Sequence, residues 1–372
     1  MRNVRRFRRA LRSGGFLAIG LLLCGLALAA KPVPPPPPPA GTIFFQYSPG
    51  TQGMRGDGSG KTLVSSIDFQ TYVPSELVYG IDPVIDRWWL AILEMPGEQY
   101  PGTSITRQEL FALRPYWENG QSQVESVQVT NLYPDIIPSA GVPRWSNDGM
   151  DSFVSFRGVE LATQATWLIR ADVSGGEIDA SAALGIDPLV DPDSMEFVAA
   201  APWPFEANFK YHDWDPSGTR VVYMLNVAEP AETTDLDVFV LDLVTGEETR
   251  IYDLEQFAIA PRWSPDGTRI AFDYSGSILL VNPNNDLDTV GGLRQWSTFK
   301  QGDSKQSYTS PHWSPDGSQL VYRYLQRKTF STTYFLARAA LTGGPQAILS
   351  NDLDSARNKA TLDWVSNATG GL

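Results

Sequence analysis

Two histidines, one cysteine and a glycine-rich loop are where chemistry would have to begin in this sequence. His212 and His312 are candidates for a general base or for metal ligands. A metal centre usually wants three or four convergent ligands, and these two stand at different offsets, two residues and one residue, before tryptophans that recur along the chain. They are read as unrelated side chains, and no metal or cofactor is expected. Gly56-Asp57-Gly58-Ser59-Gly60-Lys61-Thr62 looks like a phosphate loop, but the motif requires glycine where Arg55 stands. A strand-like run, Leu63–Phe69, follows in place of the helix whose N-terminus would hold phosphate. A hairpin loop is expected. Asn282-Pro283-Asn284-Asn285-Asp286-Leu287-Asp288 gathers oxygen ligands without the glycine and distal glutamate of a calcium loop. It reads as a turn.

The more instructive residues are those just before the recurring tryptophans. Arg144, Asp213, Arg262, His312 and Asp363 directly precede Trp145, Trp214, Trp263, Trp313 and Trp364, which lie 69, 49, 50 and 51 residues apart. Equivalent positions of a repeat lie at similar radius about an axis, so mixed signs there predict a polar network lining a funnel for a ligand. The repeat itself is explicit in PRWSNDGMDSFVSF (143–156), HDWDPSGTRVVYML (212–225), PRWSPDGTRIAFDY (261–274) and PHWSPDGSQLVYRY (311–324), with a worn copy at 362–371. A large apolar tryptophan can wedge between packed units. Ser-Pro-Asp-Gly is turn chemistry, since proline presets φ, aspartate bonds its own backbone and glycine takes positive φ. Alternating strands follow each turn, as at Ile270 and Phe272, with two more before the next tryptophan. Four strands per unit of about 50 residues is the length of a propeller blade.

This W-S-P-D-G-x-x-I-A-F pattern resembles the repeats of the TolB-like β-propeller family, strongly over 143–372 and faintly over 42–142. The resemblance implies an all-β propeller with binding faces at its loops. TolB-like chains with an α/β domain before the propeller, and peptidase relatives with a G-x-S-x-G hydrolase domain, have no counterpart in these residues. Carbohydrate lyases with similar propellers keep an enzymatic alternative open, a lyase or hydrolase with its site at the channel mouth beside His212 or His312.

The blade count follows from the ends. Arg87–Leu93 reads as the second strand of a unit whose first strand lost its tryptophan, with Leu110–Leu113 and Val127–Val129 as its third and fourth. Ile43–Phe45 and Leu63–Phe69 lack a first strand, and the copy around Trp364 is a first strand lacking successors. Joining the two predicts six four-stranded antiparallel blades over 42–372, the ring closed by the C-terminal strand.

The interval between Trp145 and Trp214 carries about 20 extra residues, within 176–211, and insertions on such folds fall on loops where function concentrates. Trp203, Phe205 and Phe209 are the candidate partner-binding patch. A second lengthening is expected around Tyr100–Arg107.

Residues 1–30 read as a signal peptide. Six arginines within the first twelve residues precede the apolar run Phe16–Ala30, which is too short to span a bilayer comfortably. Ala27-Leu28-Ala29 offers a cleavage site. A lipoprotein box at Cys24 is the less favoured alternative, because Leu23 stands where a small residue belongs, and the twin-arginine pattern matches poorly. Residues 31–41 form a proline-rich linker, stiff and extended. The formal net charge is −13 from 29 bases and 42 acids. Without the six leader arginines the balance is 23 against 42, or −19. A body so acidic repels phosphates, so nucleic acid is not an expected partner. The chain is expected to be a monomeric exported propeller, periplasmic or secreted, that binds an envelope protein or a small ligand without catalysis.

Overall fold

In the computed structural model the chain is a β-propeller of six blades, with no helix among the described residues. The structure describes residues 41–369 except 47–49, 66–72, 75–76, 79–86, 139–142, 148–152, 164–165, 173–194, 198–206, 227–235, 253–257, 285–295, 344, 351–361 and 366–367. The leader, Cys24, the proline tract, Trp203 and Phe205 lie outside the described residues.

Blades three to six follow the tryptophan repeat. Blade four runs Ala207–Trp214, Arg220–Asn226, Leu236–Asp242, Glu248–Tyr252; blade five Ala258–Trp263, Ile270–Tyr274, Ser277–Val281, Trp296–Lys300. Blade six is Gln306–Trp313, Gln319–Lys328, Ser331–Ala340 and Ala347–Ser350. In blade three, Arg144–Trp145, Phe153–Glu160, Thr166–Asp172 and Met195–Phe197 are joined by Ile136–Pro138, which pairs with the far end of the second strand. Blade two has a two-residue first strand, Val73–Pro74, before the long strands Trp89–Gln99, Thr106–Glu118 and Gln121–Gln128. Blade one is built from both ends of the chain. Leu362–Val365 pairs antiparallel with Thr42–Gln46, Ile43 opposite Trp364, and Thr51–Arg55 and Thr62–Ser65 complete it. Thr51–Arg55 is a strand with no counterpart among the expected ones, and the glycine-rich stretch is the loop of the hairpin it forms with Thr62–Ser65 within blade one, a hairpin loop as expected.

Each turn of the motif works by its side chains. Ser264 Oγ donates to Asp266 Oδ1 at 2.6 Å and accepts from Arg269 N at 2.9 Å, while Gly267 sits at φ 69°. Ser314, Asp316 and Gly317 repeat this in blade six. Blade four exchanges the two polar residues. Ser217 Oγ donates back to Asp215, and Asp215 accepts from the nitrogens of Thr219 and Arg220. One bond survives with its donor and acceptor swapped, which is why Asp-Pro-Ser-Gly closes the same turn.

Six apolar clusters lie between neighbouring blades. Trp145, Trp214, Trp263, Trp313 and Trp364 each pack in the cluster shared with the preceding blade. Blade two, which lacks that tryptophan, uses Trp89 of its second strand, whose ring meets Phe44 of blade one edge-on at 4.9 Å. Phe153 meets Trp214 in the same geometry and at the same distance across blades three and four. The wedge role predicted for the motif tryptophans is what they do.

Candidate functional site

A backbone irregularity precedes three of the five tryptophans. The first strands of blades four, five and six slip register just upstream, between Asn208 and Asp213, Ile259 and Arg262, and Thr309 and His312. Ala260 and Ser310 take left-handed φ of 58° and 53° at the latter two, followed by Pro261 and Pro311, which have no N–H to give a ladder. Bulges of this kind re-aim the side chains that follow. The prolines were the available signal.

Two of the five candidate residues clamp one blade to the next. Arg144 Nε donates to the His212 carbonyl at 3.1 Å, and the Asp213 carboxylate accepts from Trp263 N at 2.8 Å. Each ties its own first strand to the first strand of the following blade. Arg262 departs from the pattern: its backbone carbonyl, not its side chain, meets blade six, accepting from Trp313 Nε1 at 3.0 Å. Among the described residues its guanidinium donates only to the adjacent Pro261 carbonyl, its Nε is buried without a partner and it forms no ion pair, although the residue is only 9% exposed. A buried cation is costly unless neutralised or fully hydrogen-bonded. His312 is buried at the same repeat position, and Asp363 lies in the strand Leu362–Val365.

His212 belongs elsewhere. It is fully buried, its Nε2 2.8 Å from Ser155 Oγ, and Trp214 Nε1 donates to the same hydroxyl at 2.7 Å. An indole nitrogen can only donate, so Ser155 Oγ accepts from Trp214, while the direction of its bond with His212 follows the tautomer of the ring. This serine–histidine pair has the spacing of a nucleophile and its base, but both residues are sealed in the blade interface, where they satisfy buried polar atoms. Ser155 was not among the sequence candidates, because its partner is 57 residues away.

The other expectations distribute as follows. Phe209 lies in the first strand of blade four, while Trp203 and Phe205, the rest of the proposed patch, fall outside the described residues. Asn282 Oδ1 accepts from Asn284 N at 2.9 Å, a turn at the start of that stretch, whose residues 285–288 lie outside the described residues, and no group of metal-ligating side chains occurs among the described residues. The lengthening near Tyr100 is the tip of the blade-two hairpin. The buried Glu109 carboxylate anchors the adjoining chain, accepting from Thr130 Oγ1, Leu132 N and Tyr133 N and pairing with Arg107.

One buried acid went unnoticed in the sequence. Asp273, on the second strand of blade five, accepts from Ser310 N at 3.1 Å, the left-handed residue of the blade-six bulge. Burial pushes its pKa up to about 7, against the lowering effects of that hydrogen bond and of nearby Arg323.

The strand order alone establishes the fold. The chain folds as a six-bladed β-propeller. No family model matches the sequence, and no curated protein matches it. Solved structures similar to it include a putative TolB from Agrobacterium tumefaciens, at 16% identity and TM-score 0.46, covering 84% of this chain and 89% of that one. TolB from Acinetobacter baumannii matches at 15% identity and TM-score 0.42, covering 83% and 68%. An oligogalacturonate lyase in complex with manganese matches at 17% identity and TM-score 0.42, covering 75% and 73%. Likenesses at this level bear on shape and assign no activity.

Proposed function

We propose that the protein is exported to the cell envelope and acts there as a non-catalytic scaffold, receiving an anionic group of a protein partner or small ligand at Arg262. The observation that carries this reading is the buried guanidinium with an unpartnered Nε, at a position where Arg144 and Asp213 are engaged with neighbouring backbone. A carboxylate offers the planar, bidentate acceptor that the guanidinium lacks here. The basic leader and A-x-A site support export, and the proline tract supports a spacer between the leader and the propeller. Burial of His212 against Ser155 weighs against the enzymatic alternative, since a general base must reach its substrate.

The test is affinity capture from envelope extracts with the wild-type propeller, Arg262→Gln and a Trp203/Phe205 double alanine variant. Capture lost in Arg262→Gln at unchanged thermal stability supports the reading. Capture lost only in the double variant would move the site to the inserted segment. No partner captured, together with metal-dependent turnover of a glycan, would replace the scaffold with the enzyme.

A further inference from the structure

A cleft of about 560 Å³ opens between the outer strand of blade four and the outer half of blade five. Two tyrosines wall it: Tyr252 on the last strand of blade four and Tyr274 at the end of the second strand of blade five, edge to face at 6.2 Å. Both rest on the apolar cluster between these blades and are half-buried, so part of each ring remains for the cleft.

The polar wall is rigid. Ser275 and Gly276 form a two-residue hairpin turn with φ of 49° and 77°, the mirror-image type that matches strand twist. The crossover from blade five to blade six docks on this turn. Gly302 N donates to Ser277 Oγ at 2.9 Å and Tyr308 N to the Gly276 carbonyl at 2.7 Å. A Cβ on Gly302 would overlap that carbonyl oxygen, so the close approach needs glycine. Asp303 Oδ1 accepts from Lys305 N and Gln306 N, both at 2.7 Å, which fixes the carboxylate and leaves Oδ2 without a partner among the described residues. Among the described residues Gln301, also lining the cleft, gives its amide protons only to long bonds of 3.4 and 3.3 Å, and its Oε1 makes none.

We infer that this cleft binds a neutral sugar unit of a glycan. The volume lies within the roughly 300–1,000 Å³ of small-ligand sites. Tyrosine faces suit the apolar C–H face of a pyranose. The fixed carboxylate, the amide and the hydroxyls of Ser277 and Thr298 suit its ring of hydroxyls, in which each oxygen both donates and accepts. Among the described residues no cation lines the cleft and one carboxylate does, which disfavours acidic sugars by like-charge repulsion. Because Ser277 and Asp303 are already held in place, part of the ordering cost of binding is met in advance.

Ligand-observed NMR and titration calorimetry on the full chain test this with maltose, cellobiose and diacetylchitobiose, and with trigalacturonate as the acidic comparator. At least one neutral disaccharide should bind, with Gln301→Ala and Asp303→Asn each weakening it about tenfold. Tyr274→Ala should remove binding; if that variant does not fold, the two substitutions at exposed positions still decide. Arg262→Gln should leave sugar binding unchanged, which separates this site from the scaffold reading. Absence of binding by all three at about 10 mM, affinity unaltered in both exposed-site variants, or tighter binding of trigalacturonate would overturn the inference.

Discussion

Asp273 makes the stability of the propeller depend on pH in a direction opposite to that of most carboxylates. Its pKa is about 7 in the fold and near 3.8 in an unfolded chain. Between these values the folded state holds a proton that the unfolded state has released, so stability falls as pH rises through the window. Each unit of pKa difference corresponds to about 1.4 kcal/mol, so the full span amounts to about 4 kcal/mol for this one side chain. Asp273→Asn keeps an acceptor for Ser310 N and cannot ionise. The variant should match wild type near pH 4 and exceed it by up to about 4 kcal/mol above pH 7. Urea unfolding followed by tryptophan fluorescence across that range reads the difference directly. Asp57, Asp242, Asp266 and Asp316, whose pKa values are lowered chiefly by hydrogen bonds to nearby serine and threonine residues, contribute stability that is lost as pH falls below their ordinary range. Their effect is common to both proteins and cancels in the comparison. Parallel pH profiles, or an asparagine variant less stable than wild type at pH 8, would refute the account of Asp273.

Ser155→Ala should cost about 2 kcal/mol or more, because it strips a shared partner from Trp214 and His212 in a sealed interface; chemical denaturation checks it. Removing residues 362–372 should expose the edge of Thr42–Gln46 and delete Trp364 from its cluster, seen as a large loss of melting temperature and as aggregation by light scattering. Glu109→Ala leaves the nitrogens of Leu132 and Tyr133 without their acceptor, and hydrogen exchange should rise around 129–136 before it rises elsewhere.

The parts of this fold legible in the sequence were those encoded by neighbours along the chain. Trp263-Ser264-Pro265-Asp266-Gly267 announces its turn because every bond of that turn falls within six residues. The pairing of Trp364 with the N-terminal strand was deducible because each end of the chain held only part of a blade. Thr51–Arg55 escaped because Gln52 and Gly53 interrupt any apolar alternation. Val73–Pro74 is too short to show a period. The equivalence of the residues before the tryptophans was readable along the chain, but the clamping roles of Arg144 and Asp213 were not. Those roles depend on bonds to residues 50 or more positions away, as from Asp213 to Trp263 and from Arg144 to His212. Ser155, Asp273 and the tyrosine cleft were hidden for the same reason: each exists only once two blades meet.

The central claim is that Arg262 serves a ligand while its repeat equivalents serve the fold. Capture from envelope extract by immobilised wild type, Arg262→Gln and Arg144→Gln, each with its melting temperature, tests it most directly. The account predicts that Arg262→Gln loses capture at a wild-type melting temperature, whereas Arg144→Gln melts earlier. It is contradicted if Arg262→Gln melts as early as Arg144→Gln and captures as much as wild type.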